Sequence, residues 1–154
     1  MLKRHVVLLI VVVALSASLF AGKKSDNSGG PDKILMQRIW DAWSTRDPAN
    51  AAQFYAKGPH VFFDIAPLKY NSWDEYQEGV RKVLADYTDA RFTLNDDAQI
   101  TPAGEYYWGT ATVKDDLTNK SGKHEMGTLR WTVIWHKEGG NWLIVHEHVS
   151  APLQ

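Results

Sequence analysis

The sequence predicts an α+β domain: three helices in the first part of the chain, packed in a strongly curved antiparallel sheet made by the rest. Two observations carry this reading. Between Asp32 and Tyr87 the apolar residues recur at helical spacings, and from Arg91 onward they alternate with a period of two. The links between the later segments are short and rich in Gly, Pro and Asn, so consecutive strands are expected to pair antiparallel as a meander. Helices first and strands after is the α+β order. A twisted sheet wrapped round three helices would enclose a cone.

The elements follow in order. Asp32 to Thr45 places Leu35, Ile39, Ala42 and Trp43 on one helical stripe, widened by Met36 and Trp40. Asp47 caps a second, short helix with Pro48 at its first position, and Lys57-Gly58-Pro59 ends it. His60 to Ile65 reads as a short strand. Ser72 opens the third helix with Glu75 three residues on, the capping-box spacing, and its stripe is Trp73, Tyr76, Val80, Val83, Leu84 and Tyr87. Four strands are expected at Arg91–Ile100, Glu105–Leu117, Lys123–Lys137 and Asn141–Val149. Thr101 to Gly104, Thr118 to Gly122 and Glu138 to Gly140 separate them.

The N-terminus stands apart from this domain. Lys3 and Arg4 precede an uncharged run from Val6 to Phe20, with small residues near Ser16, Ser18 and Ala21. That is the layout of a secretory signal, expected over residues 1–21. The run is about fifteen residues, short of the roughly twenty that span a bilayer; an uncleaved anchor in the inner membrane is the alternative. Gly22 to Gly30 reads as a flexible linker and residues 31–154 as the domain. Export to the periplasm or outside the cell follows. Removing residues 1–21 leaves fifteen basic against eighteen acidic residues, a net charge of −3 without a basic cluster, which argues against a nucleic-acid partner. The chain has no Cys, which excludes thiol catalysis and Cys-based zinc sites.

The closing segment carries the candidate chemistry. Strict alternation would put Trp142, Ile144, His146, His148 and Ser150 on one face, a pocket wall. The two imidazoles can act as acid–base groups, hold an acidic ligand, or pack as hydrogen-bonded core residues. A metal would need a third ligand such as His60 or Asp64, so neither a metal nor another cofactor is assigned. Leu143, Val145 and Val149 would form an apolar outer face, which predicts a homodimer through the sheet. Asp64, set among Phe62, Phe63 and Ile65, is either a general base with a raised pKa or an acid bonding turn amides. Arg130, on an otherwise apolar strand, can bind an acidic ligand or pair with Asp64 or Glu147. Among seven Trp, Trp108 is expected to face the cavity.

This element order resembles the NTF2-like fold and, within it, the SnoaL-like domains, over Pro31 to Pro152. The segment TVIWHKEGGNWLIVHEHVSAP is also similar to the end of the calcium/calmodulin-dependent kinase II association domain. The resemblance implies a pocket for a small, partly apolar molecule, lined by Trp40, Phe63, Trp108, Arg130, His146, His148 and Ser150. It implies three residues of the ketosteroid-isomerase-like machinery at known places. Asp64 falls where the base stands, whereas the first-helix Tyr is replaced by Ile39 and the late-strand acid is absent from Arg130 to Thr132. The Arg that lines the kinase-domain pocket is replaced by Val133. Two functions stay open on this scaffold: a binding module, and an isomerase, cyclase or dehydratase with Asp64 as base and His146 or His148 as proton relay. A pure assembly module is the third.

Overall fold

The computed structural model describes residues 29–153. The expected signal segment, and the linker up to Ser28, lie outside the described residues. Helix α1 (Lys33–Ser44) begins where the Asp32 side chain accepts the Leu35 amide at 2.7 Å, and it buries Met36, Ile39, Trp40 and Trp43. Helix α2 (Pro48–Ala51) is capped by Asp47 and runs into a 3-10 turn at Ala52–Phe54. Strand β1 (Phe62–Phe63) is only two residues long. Helix α3 (Trp73–Leu84) starts at Ser72, whose hydroxyl accepts the Glu75 amide at 3.2 Å; Glu75 reaches back to the Asn71 amide, one residue earlier than the usual capping box. Among the described residues no helix is long and apolar enough to cross a membrane.

The sheet comprises β1, β2 (Tyr87–Leu94), β3 (Gln99–Ala103), β4 (Tyr106–Asn119), β5 (His124–Glu138) and β6 (Asn141–Ser150). Its order is β1-β6-β5-β4-β2, with β3 also on β4. Two expectations are corrected here. The sheet is mixed, because β1 pairs parallel to β6 (Phe62 beside Glu147, Phe63 beside His148). The chain between them runs through α3 and four strands, a crossover long enough to bring β1 in parallel, which a hairpin link would forbid. Nor is the sheet a strongly curved cone. It is an open path with β1 at one edge and the β2 and β3 segments at the other, and among the described residues no pairing joins the two edges.

The strand expected at Arg91–Ile100 is two segments. Asn95 to Ala98 leave the ladder, and Thr112 of β4 holds the turn: its amide and hydroxyl donate to Asp97 at 3.0 and 2.8 Å, and its hydroxyl accepts the Asn95 side-chain amide at 2.9 Å. Both segments then continue along β4, so β2 and β3 form one interrupted edge rather than two arms of a meander.

One irregularity decides which side chains face the helices. In the β5–β6 ladder Ile134 pairs with His146 and Trp135 with Ile144, so Val145 is an extra residue, a β-bulge. The alternation resets there. Ile144, Glu147 and Val149 are buried under the helices; His146, His148 and Ser150 point to the opposite face. The core accordingly lies between α1, α3 and the inner face of the sheet, where Trp131, Trp135, Val133 and Val113 are almost fully buried.

Candidate functional site

The inner face holds one buried charge. Glu147 is 1% exposed, and two indoles and a phenol surround it. Tyr55 Oη donates to Oε1 at 2.9 Å, Trp131 Nε1 donates to Oε2 at 3.0 Å, and Trp43 Nε1 donates to Tyr55 Oη at 2.9 Å. The Tyr76 hydroxyl also bears on this carboxyl. Burial pushes the Glu147 pKa up to about 7, against the lowering effect of those donors; nearby Asp64 adds to the rise. The same burial, with the Glu147 charge, holds Tyr55 and Tyr76 well above the usual phenol range. Rings pack tightly round the network: Tyr55 stacks on Trp73 at 4.4 Å, and Phe62 on Tyr76 at 5.1 Å.

Beside this network a cavity of about 140 Å³ opens between α1, α3 and the sheet. Its walls include Trp40, Trp43, Tyr76, Phe92, Leu129 and Val149, and its acidic members are Asp64 and Asp115. The rim residues Ile65 and Val83 are exposed apolar side chains. Tyr76 lies on both sides, lining the cavity and interacting with Glu147.

Asp64 stands just past β1, half-buried, and its Oδ1 accepts the Ile65 amide at 2.7 Å. Burial raises its pKa and the amide bond partly offsets the rise. Asp115 comes from the inner face of β4, opposite Gly127. Its Oδ1 is buried without a hydrogen-bond partner, and burial is again the main cause that raises its pKa. Gly127 has a packing reason: a Cβ there would lie 2.8 Å from Asp115 Oδ1. Trp40 is 5% exposed, and its indole N–H likewise has no partner. A buried polar atom left unpaired costs about 1–3 kcal/mol, so two residues of this cavity wall, Trp40 and Asp115, each carry an unmet polar atom.

Of the site residues expected from the sequence, Trp40 and Asp64 line this cavity. The others do not meet there. His146 Nδ1 lies 2.7 Å from the Val61 carbonyl oxygen, and Phe63 packs edge-on against both His146 and His148 on the outer face. His148 is exposed, and Ser150 stands opposite Arg130 on the same face. The exposed Arg130 donates to the Ala151 carbonyl at 2.9 Å rather than pairing with Asp64 or Glu147. Trp108 is 42% exposed, also outside. The cause for His146, His148 and Ser150 is the bulge at Val145, which strict alternation ignores. The residues missed are Glu147, Asp115, Tyr55 and Tyr76. Glu147 had a readable signal, an acid on a strand of Val, Leu and Ile. Asp115, among the polar residues at the end of β4, had none.

Among the described residues no cluster of His, Cys, Asp and Glu is arranged to hold a metal ion. The possible relay from Asp64 to His146 or His148 is also absent, because the imidazoles lie across the sheet from the cavity.

Several similar solved structures share this fold. A protein from Xanthomonas campestris assigned as a calcium/calmodulin-dependent protein kinase II association domain is 21% identical, with a TM-score of 0.69 over 79% of this chain and 86% of that one. A nuclear transport factor 2 (NTF2-like) superfamily protein from Salmonella enterica is 18% identical, with a TM-score of 0.69 over 79% and 92%. A protein from Novosphingobium aromaticivorans assigned as a scytalone dehydratase is 8% identical, with a TM-score of 0.69 over 79% and 81%. Among curated proteins no relative matches. At the level of sequence, the profile of the SnoaL-like domain matches residues 33–154, from the first residue of α1 past the end of β6. A profile that spans the whole folded part places the chain in the SnoaL-like domain family, and the solved structures share its fold of helices over one face of an open mixed sheet.

Proposed function

We propose that the domain binds one small, largely apolar molecule in the cavity between α1, α3 and the sheet. The observation that carries this is the composition of the walls: indole and phenyl rings interrupted by a few polar groups, one of them an acceptor without a partner. Native mass spectrometry of the purified full chain tests it, read against a Val149→Phe variant that fills the cavity. An added mass retained by the wild type and lost in the variant is expected. Equal retention in both would place the molecule elsewhere.

A second reading has a specific observation in its favour. Asp64 lines the cavity with its pKa raised by burial, the direction that suits a carboxyl to proton transfer, and Tyr76 lines the same cavity from α3. The fold likeness to a protein assigned as a scytalone dehydratase is compatible with this chemistry. Asp64→Asn separates the two readings. Binding retained with turnover of an isomerase- or dehydratase-type substrate lost supports the enzyme; no effect on any turnover removes Asp64 as its base.

Export is part of the proposal and rests on Lys3, Arg4 and the apolar run after them. Mass analysis of the N-terminus in a periplasmic or culture fraction checks it, with a start near Gly22 expected. A homodimer through the outer sheet face now rests on Trp108, Ile134 and Leu143, because Val149 faces the cavity instead. A monomer mass by light scattering at micromolar concentration removes it.

A further inference from the structure

The charge inside the cavity is one-sided. Asp64 and Asp115 both line it, and among the described residues that line it none is Lys, Arg or His. Neither carboxyl takes part in an ion pair among the described residues. Lys114, the cation closest in sequence to Asp115, alternates onto the outer face together with Asp116, where His124 lies 2.6 Å from the Asp116 carboxylate. The Asp64 charge bears on Tyr55, Tyr70, Tyr76 and Glu147, raising the pKa of each, and none of these neighbours is a cation. Two acids are thus gathered in an apolar space without a counter-charge.

The walls suit a positive guest. Trp40 and Phe92 lie 5.2 Å apart, and Trp43 and Tyr76 5.7 Å apart, four rings that border the same space. Ring faces attract a desolvated cation, most strongly those of Trp. An engineered apolar cavity of about 150 Å³ accepts benzene, so 140 Å³ suits a body of about one ring, with the rim at Ile65 and Val83 open for anything longer. A carboxylate guest would meet two like charges.

Resting on the reading of this cavity as a binding site, we infer that its ligand is a small organic cation, an ammonium group on an apolar body of about one ring, met by Asp115 and Asp64 and flanked by Trp40, Trp43 and Phe92. Gly127 then has a functional reason, since it leaves room for the Asp115 carboxyl at the wall. The pH dependence has a definite sign. Burial raises both carboxyls, so the protonation that removes their attraction for a cation sets in at higher pH than for a free carboxyl. Binding of an ammonium strengthens as pH rises through their titration and releases protons there. A neutral guest held by a protonated carboxyl behaves in the opposite way.

Three probes of one shape test this on the full chain: benzylamine, benzyl alcohol and benzoate. Their affinities are read by calorimetry, and the Trp indole signals in proton–nitrogen spectra report where they bind. Benzylamine is expected to bind about tenfold tighter than benzyl alcohol, with benzoate weakest and the benzylamine affinity rising from pH 4.5 to 7. Asp115→Asn should remove that advantage without weakening benzyl alcohol. Gly127→Ala, which displaces only the end of the Asp115 side chain, should do the same in a protein that melts like the wild type. Benzyl alcohol or benzoate binding as tightly as benzylamine, or a benzylamine affinity that falls as pH rises, overturns the cation while leaving the cavity reading in place. No binding of any probe, with the indole signals of Trp40 and Trp43 unmoved, overturns both.

Discussion

Replacing Glu147 with Gln should change how stability depends on pH, and the structure fixes the sign. The carboxyl is buried, and its pKa rises from 4.5 to about 7 on folding. Between those values the folded protein holds a proton that the unfolded chain releases. Stability conferred by the protonated group is therefore complete below the unfolded pKa and lost as pH climbs to the folded one. At about 1.4 kcal/mol per unit, the loss is roughly 3 kcal/mol. Gln is close to the protonated acid in shape and hydrogen bonding. Its carbonyl can accept from Trp131 Nε1, and its amide can donate to Tyr55 Oη, which already accepts from Trp43. Urea unfolding of wild type and Glu147→Gln at pH 4.5, 6, 7 and 8 and constant ionic strength gives the difference between them, which cancels the other titrating groups. At pH 4.5 the two are expected within about 1 kcal/mol. By pH 8 the variant should have gained roughly 3 kcal/mol relative to the wild type. A difference that stays flat over this range would refute the reasoning, because the three donors would then hold the charge as well as water does.

The remaining predictions concern the frame around the site. Ser72→Ala removes the cap of α3 and should cost about 1 kcal/mol by urea unfolding, with cavity binding unchanged. His148→Ala touches an exposed side chain on the outer face, so stability should move by less than about 0.5 kcal/mol and native mass spectrometry should show the same ligand retention. Deleting Val145 would make the ladder regular, with Ile144 still opposite Trp135 and His146 opposite Ile134, so Glu147 and Val149 should stay under the helices and the near-ultraviolet circular dichroism of the packed Trp residues should be kept; a collapsed signal would refute the bulge register.

The helices were legible because their signals are local. Asp32, Asp47 and Ser72 cap where a side-chain oxygen meets amides two or three residues on, and Met36, Ile39, Trp40 and Trp43 recur at the helical period. The long strands β4, β5 and β6 were equally legible from alternation and their Gly turns. What sequence could not show was pairing at a distance. The parallel contact of Phe62 with Glu147 joins residues far apart in the chain, and the turn that interrupts β2 and β3 depends on Thr112 of another strand. The candidate site failed at one point for the same reason. A bulge is a property of two strands, visible only when Ile134 and Trp135 of β5 are counted against His146 and Ile144 of β6. Once the count slips by one, the imidazoles leave the site and the carboxyl enters it.

That extra residue also divides the closing strand into two territories. Upstream of Val145, Ile144 is buried against Tyr55, and Trp142 donates its indole N–H to the Gly29 carbonyl at 2.8 Å while its ring meets Tyr107; this half fastens the domain's entry to its end. Downstream, Glu147 and Val149 serve the buried carboxyl network and the cavity wall. Substitutions in one half need not disturb the other, because the irregular pairing between them absorbs the mismatch. A relative can thus exchange the chemistry at 147 and 149 while keeping the clasp at 142 and 144. Aligning such closing strands by register, with the bulge as the fixed mark, is the way to compare their pockets; aligning them by their histidines would compare the wrong walls.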